Sequence, residues 1–169
     1  MYRNGKIFPV AEIGQGQLFM GPAPIEIKAG NVWTEKLLGH GINAVVSMLR
    51  IDESAYLDLA NEANSLTKLG ISFKQYPITD LGCPENEEAF SEFLKQLFQE
   101  IRSGTKLYVH CHAGIGRAGL VSCGLLTLNG MPLEEIYDYV EKKRGLKSPQ
   151  TQSQRQWFKV FAKQYLLSK

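Results

Sequence analysis

Cysteine is scarce in this chain: Cys83, Cys111 and Cys123 are the three among 169 residues. So small and odd a number argues against a disulfide framework and fits a reduced compartment. Charge of one sign is not in excess either, with 19 Lys and Arg against 17 Asp and Glu and a net charge of +2. That balance leaves no electrostatic footprint for nucleic acid or a membrane surface, so neither is expected as a partner. No apolar run is long enough to span a bilayer. The opening Met1-Tyr2-Arg3-Asn4-Gly5-Lys6 lacks the apolar stretch of a secretory signal, and a cytoplasmic location is the resulting expectation. Internal repeats, low-complexity tracts and linkers are missing too. With 44% hydrophobic and 21% charged residues, what remains is one globular domain over residues 1–169 with a single core, and a monomer as the default.

Strand-like and helix-like segments alternate, which places the chain in the α/β class, with a central, mostly parallel sheet flanked by helices. Lys6–Ile13 and Gln17–Met20 flank Gly14-Gln15-Gly16 and read as a hairpin. Asn31–Leu38 reads as a short helix, and Asn43–Met48 and Ile71–Tyr76 as strands. Ser54 is placed to cap a helix running to Leu69, which Gly70 ends. From Asn86 or Glu85 a helix starts, in which Phe90, Phe93, Leu94, Leu97, Phe98 and Ile101 recur with helical spacing. Lys106–His110 is a strand and Arg117–Leu128 a helix, followed by a helix from Pro132 and a last one carrying Trp157, Phe158, Phe161 and Tyr165. The basic run Lys142-Lys143-Arg144, with Lys147 beyond it, reads as a solvated helix end.

Between the strand and the helix lies His110-Cys111-His112-Ala113-Gly114-Ile115-Gly116-Arg117. Gly114 and Gly116 let the backbone curl so that successive N–H groups point inward. The following helix adds its positive N-terminal end, and Arg117 supplies a fork for two phosphate oxygens. Positive potential favours the thiolate of Cys111 at the floor of such a cradle. A thiolate there is an in-line nucleophile at phosphorus, and the cradle stabilises the charge of the transition state. A metal site built on His110, Cys111 and His112 is disfavoured, because alternate residues near a strand end diverge and no fourth ligand is spaced for zinc. No metal and no cofactor are expected.

This segment resembles the active-site loop of the class I cysteine-based protein phosphatases, His-Cys-x5-Arg. Its position two thirds along the chain disfavours the low-molecular-weight branch, where the loop comes near the start. The resemblance covers about Leu18 to Phe161 and points to the dual-specificity branch, the kinase-associated and regenerating-liver phosphatases in particular. It implies a protein tyrosine phosphatase-like fold and phosphocysteine hydrolysis. His112, Ala113, Gly114, Ile115 and Gly116 would bind phosphate with Arg117, and His110 would orient the loop. Ala118 stands where the family usually has Ser or Thr, a hydroxyl that helps the thiolate leave, so a slower second step is implied; the regenerating-liver phosphatases also carry Ala there.

Tyr76-Pro77-Ile78-Thr79-Asp80-Leu81-Gly82-Cys83-Pro84 resembles the general-acid loop of the same branch. Asp80 is the candidate acid for the leaving oxygen, in a loop that Gly82 and Pro84 let move as a lid. Asp52, Glu53 and Asp58 are weaker candidates for that role, with loop charges and a helix start as their blander reading. Cys83 is placed to form a reversible disulfide with Cys111, and Cys123 reads as core. Gln150 and Gln154, in a stretch that resembles Arg-x(3–5)-Gln-Thr-x-x-Gln, would position the hydrolytic water. The resemblance implies a phosphorylated protein as substrate, on phosphotyrosine and on phosphoserine or phosphothreonine. A slow phosphoprotein-binding module and a phosphatase of inositol lipids or RNA ends are the alternatives; a sulfurtransferase is more remote.

Overall fold

The computed structural model describes residues 5–25, 27 and 31–167; Met1–Asn4 of the opening segment lie outside them. Strands β1 (Phe8–Ile13) and β2 (Gly16–Gly21) form the expected hairpin. Helix α1 (Val32–Gly39), capped by the Asn31 side chain on the Thr34 amide, leads to β3 (Ala44–Ser47). Next come α2 (Ile51–Tyr56), α3 (Glu62–Lys68) and β4 (Ser72–Gln75). Helix α4 (Glu87–Arg102) is capped by Asn86, and β5 (Lys106–His110) leads to α5 (Arg117–Leu128). The chain continues through α6 (Leu133–Arg144) and α7 (Gln152–Phe161) to a π-helical turn at Ala162–Leu166. No helix among the described residues is long and apolar enough to cross a membrane.

The strand order is β1-β2-β5-β3-β4, parallel except for β1. Side chains of β5 alternate between the two faces. Leu107 and Val109 enter the core built with α4 to α7, and Tyr108 enters the one built with Trp33, Leu37 and Leu66. Eleven of the twelve residues of α5 are buried, so this helix, apolar all round, is the hub of the first core. Gly119 lets the chain after α6 lie against it: a Cβ there would sit 2.3 Å from Ser148 Oγ.

One element differs from expectation. The helix expected from Ser54 to Leu69 is two helices, broken where Asp58 takes a positive φ of 59°. Ser54 is buried inside α2 and does not cap it; its Oγ accepts from Gln75 Nε2 at 3.3 Å. The break turns Glu62, in the first turn of α3, inward beneath β5, where it is 2% exposed.

Candidate active site

The loop after β5 is shaped by its carbonyls. Cys111 O lies 3.1 Å from His110 Nδ1, and His112 O accepts from the Ala23 amide at 3.0 Å. Ala113 O and Gly114 O both accept from Arg144, at 2.9 and 2.8 Å. Ile115 O accepts from Ser148 Oγ at 2.5 Å, and Gly116 O from the Leu120 amide at 3.0 Å. Each carbonyl from Cys111 to Gly116 is thus held on the outside. In a trans peptide the N–H of the next residue points the other way, so the amides of residues 112 to 117 face inward. No hydrogen bond among the described residues is donated by the amides of 112 to 116. Gly114 has φ +70°, and a Cβ on it would lie 2.0 Å from the Gly21 carbonyl carbon. Only glycine fits there.

Arg117 opens α5 and is 1% exposed. Its Nη1 donates to Glu53 Oε1 at 2.6 Å and to Ile78 O at 2.8 Å; Nη2 donates to Glu53 Oε2 at 3.0 Å and to Asp80 Oδ1 at 3.2 Å. Burial disfavours its charge, but the Glu53 bond and the negative charges of Cys111, Glu53 and Asp80 outweigh that and raise its pKa. Glu53 is the reciprocal case. Burial pushes its carboxyl up, yet the bonds from Arg117 and the Arg50 amide and the Arg117 charge leave it below the ordinary value. The fork of Arg117 is therefore aimed and charged before any ligand arrives.

Asp80 meets Arg117 from the loop before α4, with its side chain 61% exposed. Leu81 beside it holds φ +62°. Gln154 Nε2 donates to Gly82 O at 3.0 Å and ties this loop to α7. Both ends of the Gln154 amide lie 3.0 Å from where a Cβ on Gly116 would stand, and Gln150 Cβ lies 3.4 Å from it. Both glutamines therefore adjoin the cradle. Cys111 and Ile115 are 3% and 4% exposed, Ala118 is buried, and His112 is exposed.

The family model for the dual specificity phosphatase catalytic domain matches residues 34–163. The chain belongs to that family. Cyclin-dependent kinase inhibitor 3 of Mus musculus is 27% identical over 129 residues, 76% of this chain and 61% of that protein. Protein tyrosine phosphatase type IVA 2 of Mus musculus is 28% identical over 140 residues, covering 73% and 78%. A third relative, protein tyrosine phosphatase domain-containing protein 1 of Mus musculus, is 31% identical over 119 residues, 65% of this chain but 16% of that protein. This chain thus spans less than two thirds of the length of two of these three. The crystal structure of kinase associated phosphatase, with its catalytic-site cysteine replaced by serine, shares the fold at a TM-score of 0.83 and 22% identity, over 97% of both chains.

Three residues that shape the site in this dual-specificity phosphatase domain lie outside its motifs. Glu53, read as a helix-start charge, is the bidentate partner of Arg117. Arg144, read as a solvated helix end, is 5% exposed, holds two loop carbonyls and lies 4.1 Å over the Phe8 ring. Glu62 belongs to none of the motifs, and its Oε1 lies 2.6 Å from His110 Nε2. A charged residue at an inward phase of its helix, one polar position in an apolar stripe, is the pattern to look for. The remaining cysteines are free thiols. Burial and then the Glu87 charge push the half-buried Cys83 up, and burial pushes Cys123 well up, so neither favours its thiolate.

Proposed function

We propose that this chain hydrolyses phosphate monoesters through a phosphocysteine on Cys111, with phosphotyrosine and phosphoserine or phosphothreonine of proteins as substrates. The observation that carries the proposal is the outward fixation of every carbonyl from Cys111 to Gly116. It leaves a ring of amides for three phosphate oxygens at the start of a helix, above a cysteine.

In the first step the Cys111 thiolate forms a bond to phosphorus while the bond to the ester oxygen breaks. Asp80 gives its proton to that oxygen, so the leaving group departs as an alcohol or phenol. In the second step water attacks phosphorus, Asp80 takes its proton, and the thiolate is released with inorganic phosphate. Arg117 gives four N–H groups to protein acceptors, and the remaining one, on Nε, has no partner among the described residues and serves phosphate. A bidentate grip also needs the N–H now on Asp80, so phosphate binding frees Asp80 for the leaving group. Gln150 and Gln154, beside Gly116, direct the water. Ile115 is neutral and 4% exposed, so it offers no cation to the additional phosphates of a polyphosphorylated lipid, which favours protein phosphomonoesters. A monomer in the cytoplasm is part of the same proposal.

The test is rapid-quench kinetics with an aryl phosphate in chelator. Metal-independent turnover, with phosphate mapped to Cys111, is the expected result; a divalent-ion requirement or label on another residue overturns the mechanism. Parallel assays with phosphopeptides, phosphoinositides and 5′-phosphorylated RNA settle the substrate class. Asp80→Ala is expected to lower kcat by about 10²- to 10⁴-fold for a phosphotyrosine peptide and far less for an aryl phosphate whose leaving group is already acidic. Equal losses for both would remove Asp80 from the acid role.

Ala118 gives weight to a slower variant of the same reading, a module that traps phosphoproteins. It occupies the first turn of α5 without a hydroxyl. In the trap a burst of one equivalent precedes little turnover. Ala118→Ser is then expected to raise the steady-state rate about tenfold, about 1.4 kcal/mol of barrier; no acceleration places the slow step elsewhere.

A further inference from the structure

We propose that Glu62 is a positioning residue for the nucleophile, acting through His110 on the peptide that follows Cys111. The inference deepens the phosphocysteine reading and rests on it. His110 ends β5 fully buried, with Nδ1 3.1 Å from the carbonyl of Cys111 and Nε2 2.6 Å from Glu62 Oε1. A carbonyl oxygen only accepts, so Nδ1 carries a proton. Nε2 then either accepts the proton of a neutral Glu62 or donates to an ionised one. In both arrangements the two side chains share one proton and together carry no net charge. Both also keep Nδ1–H on the carbonyl. That carbonyl shares its peptide plane with the amide of His112, the first of the inward-facing N–H groups. The line of control runs from Glu62 to the His110 tautomer, to the Cys111 carbonyl, to an amide of the cradle.

Two further observations single out Glu62. It is 2% exposed, and its Oε2 has no hydrogen-bond partner among the described residues. A buried carboxylate oxygen left unpaired costs free energy that an apolar side chain at the same inward position of α3 avoids. Its presence there fits a task that an apolar side chain cannot perform. Glu62 also shares an electrostatic neighbourhood with the nucleophile. The phenol of Tyr108 is pushed well above its ordinary value, by burial first and then by the charges of Cys111 and Glu62. Without a partner at Nε2 the ring is free to take the other tautomer, which sets a lone pair of Nδ1 against the carbonyl. The Cys111–His112 peptide then loses its outward anchor.

The experiment combines steady-state kinetics on an aryl phosphate with the rate of Cys111 alkylation by iodoacetamide, read by intact mass. Glu62→Leu is expected to lower kcat by about 10- to 100-fold, with KM changed less than about twofold, and to slow alkylation. Glu62→Gln is expected to stay within about threefold of wild type in both, because its amide N–H donates to Nε2 and preserves Nδ1–H. In a His110→Asn background the side-chain amide meets the Cys111 carbonyl unaided, so Glu62→Leu adds no further loss. Wild-type behaviour of Glu62→Leu, a glutamine variant as impaired as the leucine one, or a full additional loss in the His110→Asn background overturns the inference. Thermal melts confirm that each variant is folded, and Glu62→Met replaces a leucine variant that is not. Alkylation does not require turnover. A wild type that leaves the ester intact refutes the phosphatase reading, while the alkylation series still decides the role of Glu62.

Discussion

Cys111→Ser is expected to abolish hydrolysis of aryl phosphates and phosphopeptides, a loss on the order of 10⁴-fold or more, and to leave phosphopeptide binding in place. The reasoning separates the nucleophile from the cradle. A serine hydroxyl is not ionised at neutral pH, and His110 beside it cannot act as its base, since both nitrogens of His110 are engaged with the Cys111 carbonyl and Glu62. The anchors of the loop are backbone carbonyls, Arg144 and Ser148, none of which involves the Cys111 side chain. The pocket therefore survives the substitution. Turnover at zero within the assay limit, together with phosphopeptide binding by titration calorimetry, is the supporting result. Residual turnover within tenfold of wild type moves the nucleophile elsewhere.

Arg117→Lys carries the second large effect: kcat/KM is expected to fall about 10³-fold, near 4 kcal/mol of transition-state stabilisation. An ammonium is a point charge with three donors and no fixed fork. It cannot serve Glu53 at two oxygens, the Ile78 carbonyl and a phosphate together. The same change exposes a pH effect. The Glu53 carboxyl lies below its ordinary value although burial acts the other way, because Arg117 and the Arg50 amide overcome burial. A carboxyl lowered on folding stabilises the fold above its unfolded pKa, and that contribution is lost as pH falls through the folded value. Weakening its partner brings the folded value back up, so acid unfolding of Arg117→Lys is expected to begin at a higher pH than in wild type. Urea midpoints across pH 3–6 read this directly, and identical acid limbs contradict it.

The regular elements were legible because their signals are local. Helix α4 shows itself in the spacing of Phe90, Leu94, Leu97 and Ile101, all buried, and its start in Asn86, whose side chain caps it. The cradle was legible as a motif because Cys111 and Arg117 are six residues apart, joined by glycines that the curl requires. What supports the cradle is distant in sequence and belongs to no motif. Glu53 lies 64 residues from Arg117, Glu62 lies 48 from His110, and Arg144 lies 30 from Gly114. The misread helix after Ser54 has the same origin. Its composition permits one continuous helix, and the break at Asp58 becomes favourable only when Glu62 and Leu66 turn under the sheet.

The loop's outward anchors also carry a temporal consequence. Three of its six carbonyls are held by Arg144 and Ser148, which the ribosome adds some thirty residues after the motif itself. A nascent chain that has emerged only through α5 carries the sulfur and the guanidinium without the ring of amides that makes them a pocket. The pocket is thus expected only once the segment that carries Arg144 and Ser148 has been made, and a shorter nascent chain is spared a reactive anion trap.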